Sequence, residues 1–164
     1  TPPTPPTPPT PPTPPTPPTP PTPPTPPTPP TPPAGQCGMT SNEQAAFDAL
    51  VAERRARGLA ALTCDSAAAK AARAHSDDMC ARGFFAHQNP SGDTVTNRLA
   101  RAGASWSGSA ENIAQGQPDG QSAFAAWLQS SAHASMMLGT QWKRAGVGFA
   151  ECNGKRLWTQ VLIY

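Results

Sequence analysis

Between residues 39 and 138 apolar positions recur at helical spacing, and beyond residue 145 they alternate. Phe47, Leu50 and Val51 stand at i, i+3 and i+4. They follow Thr40-x-x-Glu43 and Ser41-x-x-Gln44, pairings whose side chains can close the exposed amides of a helix start, and Gly58 supplies the stop. Ala68, Ala72, His75 and Met79 share one face of a second helix, capped by Asp65 or Ser66 and running to about Ala81 before Gly83. A short third helix begins at Asp93 or Thr94, turns Val95 and Leu99 inward and ends at Gly103. A fourth, capped by Asp119, repeats the pattern with Phe124, Trp127 and Leu128. After His133 a further turn follows, with Met136 and Met137 as core filler beside Leu138. The period then changes to two. Val147 and Phe149, then Leu157, Thr159, Val161 and Ile163, flank Asn153-Gly154, a strong hairpin signal. Helices followed by a terminal hairpin predict an α+β domain, with helices packed on a small antiparallel sheet.

Composition changes the picture at the N-terminus. Residues 1–33 are a Thr-Pro-Pro repeat holding 22 of the 24 prolines. Proline fixes φ and removes a backbone donor, so the repeat predicts a polyproline II stalk with no core, about 100 Å long at about 3.1 Å per residue. The folded domain is then residues 34–164. Every charged side chain lies in that part, with a formal net charge of +2 and no polybasic block, which argues against nucleic acid and acidic membrane as partners. No apolar run reaches the roughly 20 residues of a transmembrane helix. The chain starts on threonine, so an upstream targeting segment is expected.

The four cysteines, Cys37, Cys64, Cys80 and Cys152, lack the spacing of a zinc knuckle or a redox pair. An even count beside a proline-rich stalk points to an oxidising compartment and two disulfides. Cys64 and Cys80 sit near opposite ends of the second helix, roughly 24 Å apart, and should not pair. If the first two helices form an antiparallel hairpin, Cys37 meets Cys80 and Cys64 meets Cys152, the pairing expected here.

The chemistry centres on Ala110-Glu111-Asn112-Ile113-Ala114. Glu111 is the only acid between Asp93 and Asp119, and no cation adjoins it in sequence. His87 and His133 flank it. The three are expected to converge in one cleft, His75 being read instead as a packed, hydrogen-bonded core histidine. Two imidazoles and a carboxylate suit a divalent ion such as Zn²⁺ with a position left for water. A purely structural hydrogen-bonded triad carries equal weight. Trp127 and Trp158 are expected in the core, and Trp106 and Trp142, in polar surroundings, at the surface.

Several motifs in order carry a resemblance. Ala74-His75-Ser76-Asp77-Asp78-Met79, Gly83-Phe84-Phe85-Ala86-His87, Ala110-Glu111-Asn112-Ile113-Ala114, Trp127 to His133, Gly146-Val147-Gly148 and Trp158-Thr159-Gln160-Val161 are together similar to the CAP superfamily. This is the SCP/PR-1-like domain, here nearest its bacterial secreted branch. The resemblance implies an α-β-α sandwich with an open cavity lined by His87, Glu111 and His133, with Asn112 and Ser130 beside them. Ser130 stands about where eukaryotic relatives carry a second glutamate, and no histidine precedes Trp158, so the two-histidine, two-glutamate set of those relatives is incomplete. It further implies a secreted or envelope-associated module that binds a lipid, another small hydrophobic ligand or an extracellular protein partner. Catalysis has less support, since no Gly-x-Ser-x-Gly elbow is present. The competing reading is a metal-assisted hydrolase of the cell envelope.

Overall fold

The computed structural model describes Thr1 and residues 35–164; the rest of the Thr-Pro-Pro repeat, with its expected rod, lies outside the described residues. A 3₁₀ turn at Gln36–Gly38 leads into α1 (Ser41–Ala56), where Thr40 and Glu43 close the expected capping box. Strand β1 (Thr63–Cys64) and α2 (Ser66–Arg82) follow, the helix capped by Asp65 and stopped by Gly83 in the left-handed region. Helix α3 (Val95–Ala102) ends on Gly103 in the same way. Then come β2 (Ser109–Gln115), α4 (Gly120–Gln129), α5 (Ser131–Met137), β3 (Arg144–Cys152) and β4 (Lys155–Ile163).

The strands form one sheet in the order β1-β3-β4-β2. β3 and β4 are the expected hairpin, turning through Asn153 and Gly154, both at positive φ as a type I′ turn requires. β2 pairs antiparallel with β4, placing Glu111 opposite Val161 and Asn112 opposite Gln160. The two-residue β1 runs parallel to β3, so the sheet is mixed, not wholly antiparallel as the pattern suggested. Alternation along β4 sorts the layers. Trp158 and Leu162 join the core of Phe47, Leu50, Phe124, Trp127 and Met137 from α1, α4 and α5. Val161 and Ile163 pack with Ala68, Ala71, Ala72 and Leu99 from α2 and α3 on the other face. The result is an α-β-α sandwich.

The two disulfides correct the expected pairing. Cys37 bonds Cys64 and Cys80 bonds Cys152, in place of Cys37 with Cys80 and Cys64 with Cys152. The reason is that α1 and α2 are not a hairpin. Strand β1, interposed between them at the sheet edge, passes the chain from one face to the other. Helix α2 then runs alongside β3 in the same direction, its backbone at Ala68–Ala69 resting on Gly146 and that at Ala72–Arg73 on Gly148, so that Cys80 arrives where β3 ends. The exclusion of Cys64 with Cys80 holds.

Trp127 and Trp158 are fully buried, as expected. Trp142 is buried too, against expectation. Its indole N–H donates to the Met136 carbonyl at 2.6 Å, which lets a tryptophan in a polar stretch enter the core. Trp106 is half-buried against the α2–α3 core. Of the methionine pair, Met137 fills the core while Met136 is 37% exposed.

Candidate functional site

Glu111 points from β2 toward the α2–α3 side and is buried. A buried carboxylate needs partners, and this one has them. Arg98, on the inward side of α3, donates Nη2–H to Oε2 at 2.8 Å, with both side chains only 3% exposed. The same guanidinium donates to the carbonyls of His87 at 3.0 Å and Asp93 at 3.1 Å, tying the loop between α2 and α3 to the site. His87 comes in from that loop, with Nδ1 at 3.0 Å from Glu111 Oε1. An ionised carboxylate has no proton to give, so Nδ1–H is the donor. That leaves Nε2 as an acceptor on a ring that is 59% exposed.

His75 forms the floor. It is fully buried on α2, as expected of a core histidine. Its Nε2–H donates to the Ala86 carbonyl at 2.9 Å and lies 3.6 Å from Glu111 Oε1, which also makes it part of the site. Burial holds its pKa below the ordinary value, outweighing the attraction of Glu111, so the ring is neutral. In that tautomer Nδ1 bears no proton, and no partner for it is found among the described residues.

The structure therefore brings His87 and Glu111 together but gives neither a bond to the His133 ring. His133 lies in α5, where its carbonyl accepts from Asn112 Nδ2 at 3.4 Å. Asn112 is fully buried and also donates to Gln160 at 3.0 Å, from the α5 side of the sheet, opposite to Glu111. The His133 ring is half-buried. Its pKa is lowered chiefly by burial, and the ring does not line the cleft that His87 and Glu111 share. Ser130 is the junction between α4 and α5, and its hydroxyl makes no capping bond. An open cleft of about 280 Å³ lies above Glu111, walled by His87, Thr94 and Val95 on one side and Met136 of α5 on the other.

The donor set does not suit a metal. Both Glu111 oxygens are engaged, one of them by a buried guanidinium whose charge would repel a cation. Among the described residues no group of three or more His, Cys, Asp or Glu side chains is placed to hold an ion.

Arg98 escaped the sequence reading. The signal was available: it stands at i+3 from Val95 and next to Leu99, a charge inside an inward-facing stripe. Strand β2 also escaped, because Ser-Ala-Glu-Asn-Ile-Ala-Gln has no period-two alternation. Its residues from Glu111 to Ala114 are buried on both faces, with the Glu111 carboxylate bonded by Arg98 and His87 and the Asn112 amide N–H donated to Gln160.

A sequence profile described as the cysteine-rich secretory protein family, CAP, matches residues 47–164. An uncharacterised Bacillus subtilis protein, YkwD, is 32% identical over 125 residues, which is 76% of this chain and 48% of that protein. An extracellular protein containing an SCP domain from Bacillus anthracis superposes with a TM-score of 0.67 at 32% identity, over 74% of this chain and 40% of its own. An outer surface protein of Borrelia burgdorferi gives 0.68 at 17% identity, over 74% and 91%, a likeness of fold. The chain thus spans about half the length of the curated relative, and less of the Bacillus anthracis protein. Among the described residues no helix is long and apolar enough to cross a membrane.

Proposed function

The chain belongs to the cysteine-rich secretory protein (CAP) family, and from that premise we propose that it is an extracellular binding module whose cleft takes a small amphiphilic ligand. Secretion is supported by the two disulfides and by the extracellular description of the Bacillus anthracis relative. The observation that carries the binding reading is the contrast within the cleft. Its floor is an Arg98–Glu111–His87 chain in which both carboxylate oxygens are hydrogen-bonded, while its rim carries Val95 and the exposed Met136, with exposed Phe85 two residues before His87. Exposed apolar side chains beside a concave polar floor are the usual composition of a small-molecule site.

His87 sets the head group. Its free Nε2 is an acceptor while the ring is neutral, so the ligand offers a hydroxyl or another donor there. The 280 Å³ volume has room for roughly nine groups the size of a water or methylene, given about 30 Å³ each. A primary alcohol of about eight carbons fills it, and 1-octanol serves as the probe. Titration of the chain with 1-octanol should shift the His87 ring resonances saturably at submillimolar concentration, about −4 to −6 kcal/mol. No saturation, or an affinity read at the Val95 methyl resonances that is the same in wild type and His87→Ala, would remove this reading.

A second reading has one observation behind it. A histidine oriented by a carboxylate through Nδ1 with Nε2 free is the geometry of a general base. It replaces the metal-assisted hydrolase, whose metal the site does not fit. Turnover of a nitrophenyl ester lost in both His87→Ala and Glu111→Gln would favour it over binding alone. The Thr-Pro-Pro repeat is proposed as a semi-rigid spacer holding the domain away from the surface to which the parent protein is attached.

A further inference from the structure

A second cavity, of about 530 Å³, lies between α2 and α3, and neither His87 nor Glu111 lines it. Its α2 wall is a stripe at every fourth residue, Lys70, Ala74, Asp78 and Arg82, and its α3 wall presents Arg98 and Arg101. The loop from Asn89 to Asp93 contributes the remaining side. Alanines at 71, 74 and 102 leave the space open.

The charges in this groove do not balance. Asp93 accepts two bonds from Arg101, at 3.0 and 2.8 Å. Asp78 accepts from Asn89 at 2.7 Å and stands 3.5 Å from Arg82. Arg98 spends its Nη atoms on Glu111 and two carbonyls. Set against Asp78, Asp93 and Glu111, the four cations leave one positive charge over, and among the described residues Lys70 makes no ion pair. The Nε–H of Arg98, on a residue 4% exposed, has no partner among the described residues either. What the groove has left to offer is donor capacity and positive charge. That excludes a metal cation and disfavours an apolar ligand.

We propose that this groove is an anion site for a phosphate group, seated between Lys70 and Arg101 above the Arg98 guanidinium. Planar guanidinium forks match the oxygens of a phosphate, and an ammonium adds a point charge. One excess charge equals the charge of a phosphodiester. The phosphate belongs either to a soluble small molecule or to a phosphodiester polymer, and both share this chemistry.

The test is a titration of the full chain, at constant ionic strength, with inorganic phosphate and separately with a short glycerol-phosphate oligomer, followed by side-chain NMR of Lys70 and the arginines. Saturable shifts at Lys70 and Arg101 are expected, with affinity weakened about three- to tenfold in Lys70→Ala, as befits one exposed charge-assisted contact. The Lys70 side chain is exposed and makes no hydrogen bond or ion pair among the described residues, so this variant keeps its stability, which a melting curve checks. Tighter binding of the oligomer assigns the polymer, and tighter binding of inorganic phosphate assigns the small molecule. Shifts reproduced by chloride, an affinity unchanged in Lys70→Ala, or shifts centred on His87 would each overturn the proposal.

Discussion

Removing Arg98 tests the electrostatics of the cleft. Its guanidinium is the principal counter-charge of a carboxylate whose side chain is 3% exposed, and it also holds the carbonyls of His87 and Asp93. Arg98→Met keeps most of the volume and deletes all three bonds. Glu111 then keeps only the His87 N–H at hydrogen-bond distance and stands as a buried, largely uncompensated charge. Loss of one partner of such a pair costs about 3–5 kcal/mol, whereas replacing both by apolar groups of similar size is near neutral. Arg98→Met should therefore lower unfolding free energy by about 3 kcal/mol or more, and Arg98→Met/Glu111→Leu should recover about 2 kcal/mol of it. Urea denaturation of wild type, the two single variants and the double variant closes the cycle. The same preparations report on metal. Zinc should leave the wild-type melting temperature unchanged and raise that of Arg98→Met, where the carboxylate is freed. A single-variant cost below about 1 kcal/mol, additivity in the cycle, or zinc stabilisation of the wild type would refute the assignment of Arg98 as the charge that occupies the place of a metal.

Three further outcomes follow from the fold. Gly148→Ala would drive a Cβ into the backbone of Ala72 and Arg73, well inside van der Waals contact, so α2 must move off the sheet. A loss of about 3 kcal/mol, with faster amide exchange in α2, is expected, and an unchanged urea midpoint would contradict that packing. His75 is held neutral below its ordinary value near 6.5, so the unfolded chain binds the extra proton. Stability is then present above that value and falls on acidification below it, by up to about 1.4 kcal/mol per pH unit, and the partly exposed His133 adds less in the same direction. Urea midpoints at about pH 7.5 and 5.5 should differ in the wild type and differ by less in His75→Gln, where the smaller His133 contribution remains, and equal midpoints in the wild type would count against a buried neutral ring. Cys80→Ser/Cys152→Ser opens a disulfide spanning 72 residues and should cost about 4 kcal/mol by loop entropy, read from the urea midpoint, with a loss below about 1 kcal/mol contradicting a bridge between α2 and β3.

The legible parts of the sequence were those where one local signal decides the outcome. Thr40 with Glu43, Asp65 with Gly83 and Asn153-Gly154 set helix starts, helix ends and the hairpin through chemistry confined to a few residues, and the structure keeps each. The disulfide pairing failed because it depended on which face of the sheet α2 occupies. That was decided by two glycines in β3, Gly146 and Gly148, some eighty residues away, and by a two-residue strand with no pattern of its own. The pairing of His87 with Glu111 was legible from composition, since an isolated acid between two histidines invites it. Arg98 was not recognised, because one of two arginines on a short helix reads as surface until the carboxylate it neutralises is known to be buried. The place of His133 depended on the sheet as well. Asn112 and Glu111 are neighbours in sequence, yet alternation sends their side chains to opposite faces, and His133 follows Asn112.

The most direct measurement for the cleft is the affinity of 1-octanol for the full chain, wild type beside Met136→Glu. Met136 is exposed on the rim and lies outside the Arg98–Glu111–His87 network, so the substitution alters the apolar wall without disturbing the floor. One-to-one binding weakened about tenfold or more by the added charge is the result the account predicts. Equal affinity in both proteins, or no binding in either, would contradict the cleft as the ligand site.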